Sequence, residues 1–181
     1  MSKDRSALNV IGLPSARPAN SWPLVPSSAV PSVPPYEAIR NLLGRYCELI
    51  DAGDFDGLGD LLAGAVLRDE AGNETARGRD GVVRLYTAAT KRHADGTPRT
   101  RHLTVDSIIE VDEPAGTATA RSAYVVLQAT SSVALQPIIS GRYHDRFVRD
   151  AATDTWSFTD RTMTVDLVGD LSDHLTFPLP G

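Results

Sequence analysis

The sequence predicts an α+β fold: a cone-shaped α+β barrel in which three N-terminal helices pack on a strongly bent, mostly antiparallel sheet. Three observations predict it. Helical periodicity is confined to the first half of the chain beyond residue 35. Four long segments rich in Val, Ile, Thr, Tyr and Phe follow it without interruption by a helix. Short turn signals separate those segments, so successive strands pair as hairpins. A sheet bent around helices encloses an apolar pocket.

The elements follow in order. Seven of the twelve prolines lie within the first 35 residues, at Pro14, Pro18, Pro23, Pro26, Pro31, Pro34 and Pro35. Proline removes backbone donors and fixes φ, so residues 1–34 are expected to be an extended arm. Residues 35–168 form the domain, and residues 169–181 are a C-terminal tail. Ile39, Leu42, Leu43, Tyr46 and Ile50 share one helical face over Tyr36–Ala52. Gly53 stops that helix, and Asp54 or Asp56 starts a short second one. Residues 64–77 read as a strand, a turn at Ala71-Gly72-Asn73 and a return strand. Asp80 is expected to cap a third helix carrying Val82, Leu85, Tyr86 and Ala89. The strands are Arg101–Val111, Thr117–Thr130, Ala134–Arg149 and Thr155–Leu167.

Composition narrows the function. The chain has 181 residues and a net charge of −5, with no run of Lys and Arg. Nucleic-acid binding wants a basic stripe and is not expected. No run of about 18 apolar residues exists, so no membrane span is expected. A single cysteine, Cys47, allows no internal disulfide. The four histidines lack metal-ligand spacing, and no phosphate-binding glycine loop is present. These features predict a cytoplasmic protein with no metal and no cofactor.

The residues also carry a family likeness. Ile39, Leu42 and Arg45-Tyr46, then Asp51-Ala-Gly-Asp54-Phe-Asp56-Gly-Leu58, then Gly78-Arg79-Asp80-Gly81-Val82, resemble the nuclear transport factor 2-like superfamily. Gly141-Arg-Tyr143-His-Asp145-Arg-Phe147 and Trp156-Ser-Phe-Thr-Asp-Arg161 look like its SnoaL-like branch. This likeness spans roughly Tyr36 to Asp166. It implies the cone fold, and a function among dehydratases, isomerases, cyclases, epoxide hydrolases and non-catalytic subunits. Scytalone dehydratase-like members place an Asp at the end of the first helix and a His early in the first long strand. Asp51 and His102 match those places, while the family's second pocket His has no counterpart near Leu127 or Gln128. Ketosteroid isomerase-like members place a base where Asp69 stands. Their second acidic residue has no counterpart between Gly141 and Tyr143.

These residues define the expected site. Asp51 would fix the tautomer of His102 and poise it as an acid–base group. Tyr46, on the apolar helix face, would donate to a developing oxyanion. Asp69 is a further candidate base, its pKa raised if it lies in an apolar cleft. Tyr86, Tyr124, Tyr143, Gln128 and Trp156 are expected to bind the substrate along the pocket wall. Asp145 and Arg161 sit on successive strands and read as a pair that orients the sheet. His93 is expected in a solvated loop and His174 in the tail, with no role. Together they predict a cofactor-free acid–base enzyme, a dehydratase, isomerase or cyclase, acting on a small apolar organic molecule. The alternatives are a binding or assembly module like a dioxygenase β subunit, with the arm as a strap, or an epoxide hydrolase using Asp51, Arg161 and Asp145. Val125, Leu127, Val133, Leu135 and Ile139 would supply the outer face of a homodimer.

Overall fold

A computed structural model describes residues 33–177. The expected arm lies almost wholly outside them. The first helix, α1 (Pro35–Ala52), starts with proline at its first position, where the missing N–H is not needed. It buries Ile39, Leu43, Tyr46, Leu49 and Ile50, the spacing of a single helical face. Gly53 ends it in the left-handed region, with φ 71°, and donates to the Ile50 and Leu49 carbonyls. Any side chain there would also meet the Gly96 carbonyl. Asp54 caps α2 (Phe55–Leu61) by accepting from the Gly57 amide at 2.8 Å. A short hairpin, β1 (Val66–Arg68) and β2 (Glu74–Arg77), leads to α3 (Gly78–Ala89). Asp80 does not cap α3. The helix begins two residues earlier, and Asp80 lies in its first turn, where its charge suits the helix N-terminus.

Four long strands follow: β3 (Thr100–Asp112), β4 (Thr117–Gln128), β5 (Gln136–Asp150) and β6 (Thr155–Val168). They make one six-stranded sheet in the order β2-β1-β6-β5-β4-β3. All pairings are antiparallel except β1 with β6. The sheet is open, with β2 and β3 at its edges. The helices pack on it over a core of apolar side chains.

Irregularities in the long strands decide which side chains face that core. Side chains alternate faces along a strand, so one extra residue reverses the phase beyond it. In β5, Ile138 is inserted opposite Val126 and Leu127, after which Gly141, Tyr143, Asp145 and Phe147 are buried. In β6, Thr159 is inserted between Phe158 and Asp160. Trp156 and Phe158 are buried before it, and Arg161 after it, directly opposite Asp145. Beyond β6 the tail returns to the domain. Leu175 bridges Thr90, and the Thr176 amide donates to Ala89.

Candidate active site

The last turn of α1 and the start of β3 bring Asp51 and His102 together. His102 Nδ1 lies 2.6 Å from Asp51 Oδ1, and the two side chains are 5% and 7% exposed. The His102 amide also donates to Asp51, at 2.9 Å to Oδ2, and the Thr100 hydroxyl donates to Oδ1 at 2.9 Å. Arg101 adds a distant, exposed positive charge 3.8 Å from Oδ2. A carboxylate so supplied holds Nδ1 protonated, which leaves the lone pair of the neutral ring on Nε2. Among the described residues Nε2 makes no hydrogen bond. His102 lines a cleft of about 520 Å³ between α1 and β3, with Tyr36, Arg40, Leu43, Cys47 and Thr104 among its walls.

Tyr46 stands beside this pair, its ring edge-on to His102 with centroids 6.4 Å apart. Its hydroxyl shares a 2.9 Å hydrogen bond with the Tyr86 hydroxyl. Burial pushes both phenols well above their usual range, so both stay protonated and able to donate. Beneath them the expected hollow is filled. The guanidinium of Arg161 lies 4.1 Å from the Tyr46 ring centroid and 4.2 Å from that of Tyr143. Asp145 holds it with two hydrogen bonds of 2.7 and 2.8 Å, and neither side chain has any exposure. Burial alone would lower the Arg161 pKa, and the Asp145 charge and hydrogen bonds, with Tyr46 and Tyr143, together more than reverse that. Tyr143 stacks on Tyr124, centroids 4.4 Å apart, and the Tyr124 hydroxyl donates to the Thr164 carbonyl. The cone is thus a packed aromatic cage around an ion pair at this level. Asp51 does not join it, so an Asp51–Arg161–Asp145 set for epoxide opening is not assembled.

Two expected residues lie elsewhere. Asp69 sits in the β1–β2 turn, where its carboxylate accepts from the Asn73 side chain at 2.9 Å and the Asn73 amide at 2.8 Å. Those bonds lower its pKa, the opposite of the apolar-cleft expectation. Trp156 is buried, but at the far end of β6. Val168, through Ile139 and Val126, marks the level of His102 on that strand. Twelve residues, each rising about 3.3 Å, separate Trp156 from it.

One histidine that the sequence reading set aside comes to the site. His174, in the tail, is 8% exposed, and its Nδ1 is buried without a partner among the described residues. Burial, and then the neighbouring His102, drive its pKa down to about 4, while Asp51 pulls the other way. Gln128 is buried beside it. Its amide nitrogen donates to the carbonyl of Asp173, 3.1 Å away, and to that of Pro98, while its Oε1 is buried and has no partner among the described residues. His93 is tied in as well, with Nε2 3.2 Å from the same Asp173 carbonyl. A tail without periodicity gives no helix or strand signal. The spacing of Leu171 and Leu175, which keep it against the domain, is the one hint in the sequence. Among the described residues no three His, Cys, Asp or Glu side chains cluster as metal ligands do, and no helix is long and apolar enough to cross a membrane.

Comparison with known proteins bears on this architecture. The family model of the SnoaL-like domain matches residues 31–162. The chain belongs to the SnoaL-like domain family. Solved structures similar to this SnoaL-like chain include a variant of Rv3472, a protein of unknown function from Mycobacterium tuberculosis. It is 28% identical over 74% of this chain and 72% of its own, with a TM-score of 0.58. ActVI-ORFA from Streptomyces coelicolor is 21% identical over 72% of this chain and 96% of its own, TM-score 0.58. A provisionally named scytalone dehydratase from Novosphingobium aromaticivorans is 19% identical over 75% of this chain and 86% of its own, TM-score 0.57. These last two likenesses establish the nuclear transport factor 2-like cone fold alone. No curated protein matches the sequence.

Proposed function

We propose that this SnoaL-like chain is a general acid–base enzyme that dehydrates, isomerises or cyclises a small, mostly apolar organic molecule. The observation that carries this reading is the buried 2.6 Å contact between His102 Nδ1 and Asp51. In it, His102 Nε2 takes the proton from a carbon next to a carbonyl, and the C–H electron pair moves into an enolate. The Tyr46–Tyr86 hydroxyl pair uses one O–H for its own bond and offers the other as the donor to the enolate oxygen. In a dehydration the imidazolium then returns that proton to the departing hydroxyl, the C–O bond breaks, and water leaves. Asp51 holds the ring in the accepting tautomer and balances the imidazolium charge. Substrate reaches His102 from the cleft lined by Tyr36, Arg40 and Cys47, while Tyr143 and Tyr124 stack behind Tyr46.

A second copy of the chain is part of this proposal. Val125 and Leu127 are half-buried on the outer sheet face, beside Leu103 and Val105, each 40% exposed. Ile139 packs on the core instead. We assign the reaction to the cytoplasm, where Cys47 stays a thiol.

The test is turnover on a panel of small cyclic β-hydroxy ketones, followed by proton NMR in deuterium oxide. Wild type should speed elimination or exchange of the acidic C–H, and His102→Ala should lose about 10² or more of that rate. A His102→Ala protein that stays folded and works at the wild-type rate would overturn the reading.

A further inference from the structure

Where the tail meets the end of β4, two polar atoms are buried with no hydrogen-bond partner among the described residues. Gln128 Oε1 can only accept a hydrogen bond. His174, neutral at physiological pH, carries one N–H and one lone pair. Leaving either atom buried and unpaired costs about 1–3 kcal/mol. The Gln128 amide nitrogen donates to the carbonyl of Asp173, the residue before His174, so the Gln128 amide lies against the backbone that carries His174.

The arrangement is not a loose end of chain. Asp173 is anchored through its Oδ2 by the Thr130 and Ser132 hydroxyls, each at 2.6 Å. The Lys91 amide donates to the His174 carbonyl at 2.8 Å, and Lys91 Nζ donates to Ser172 at 2.6 Å. Fastened at both ends of the segment, His174 has little freedom to turn outward. The charged and titratable groups around it are His102 from β3, Asp51 from α1 and His93 from the loop after α3.

We propose that His174 Nδ1 and Gln128 Oε1 form a subsite for one hydroxyl group, which donates to the Gln128 oxygen and accepts from the His174 N–H. The inference rests on the acid–base reading, because it puts a hydroxyl-bearing portion of the substrate next to the Asp51–His102 pair. It narrows the substrate class to molecules carrying a free hydroxyl. Water has the same chemistry and is the second source that the test must separate.

Phenol and anisole serve as probes, since they differ chiefly in the O–H donor. The full chain, labelled in its imidazole carbons, is titrated with each and followed by NMR. Phenol should shift the His174 resonance saturably and bind at least fivefold more tightly than anisole. His174→Phe and Gln128→Met should each bring that preference to within twofold, whereas Asp51→Asn should leave it in place. Equal binding of the two probes by wild type, or a preference that survives both substitutions, would overturn the subsite. So would a water bridging the two atoms in a crystal structure and remaining there at saturating phenol. If either variant does not fold, the wild-type comparison and the His174 shift still decide. Loss of the subsite with turnover still dependent on His102 would leave the acid–base reading standing. A phenol preference in a protein whose turnover ignores His102 would do the reverse.

Discussion

Asp51→Asn changes the character of the site while keeping its volume. The native carboxylate accepts from three groups, the Thr100 hydroxyl, the His102 amide and His102 Nδ1. It has lone pairs for all of them and no hydrogen of its own. The asparagine amide offers one oxygen and two N–H donors. Whichever way it turns, an N–H faces a group that also donates. At Nδ1 the conflict is relieved only if the ring moves its proton to Nε2, and that tautomer cannot take a proton from substrate. One buried donor left unpaired costs about 1–3 kcal/mol. At roughly 2–4 °C per kcal/mol for a domain of this size, Tm should fall by about 2–12 °C, so the fold survives. Turnover should fall by about 10²–10⁴, the range that a general acid–base group contributes. Nitrogen-15 NMR of the imidazole reads the tautomer directly, and the β-hydroxy ketone panel reads the rate. A folded variant with the Nδ1–H tautomer retained and a rate within threefold of wild type would refute the reasoning.

Other expectations follow from the same geometry. Folded His174 titrates near 4 against an ordinary 6.5. Between those values the unfolded chain binds a proton that the folded chain refuses, so stability falls as pH drops from about 6.5 to about 4. The ceiling of that loss is about 3 kcal/mol, from roughly 2.5 units at 1.36 kcal/mol each. Urea melts across this window should show the slope, and His174→Phe should flatten it. Arg161→Met leaves Asp145 charged and buried, and should cost about 3–5 kcal/mol, measured by chemical denaturation. Gly141→Ala drives a methyl into the Thr164 carbonyl oxygen across the β5–β6 pair. It should cost about 3 kcal/mol in the same measurement, at the upper end for overpacking. Val125→Lys, on the outer sheet face, should turn a dimer into a monomer in sedimentation velocity while leaving Tm nearly unchanged.

Much of the fold is written in local pattern. Ile39, Leu43, Tyr46 and Ile50 recur at helical spacing, and Gly53 follows them, so α1 is found to within a residue. Turn residues at 112–116 and 150–154 bracket the long strands within one or two positions. Pairings between distant segments are not local, so the parallel contact of β1 with β6 is invisible in the chain. The approach of Asp51 and His102 was legible only because a family likeness joined two places 51 residues apart. Asp69 misled because a turn carboxylate and a buried base look alike until burial is known. Trp156 misled because residue type was weighed without counting strand length. His174 escaped because nothing in its neighbours announces a site. Its burial comes with contacts that its segment, Asp173 to Leu175, makes with Thr90, Lys91, Gln128 and Thr130, far away in sequence.

The unpaired Thr159 in β6 has a wider consequence. It acts like a shift of reading frame, settling which of two adjacent, oppositely charged residues becomes interior. Were Thr159 to pair as a regular ladder residue instead of bulging, Asp160 would fall opposite Asp145, setting two anions against each other where the cage now holds a cation. The bulge itself, rather than the residue that fills it, therefore decides which charge the cage receives.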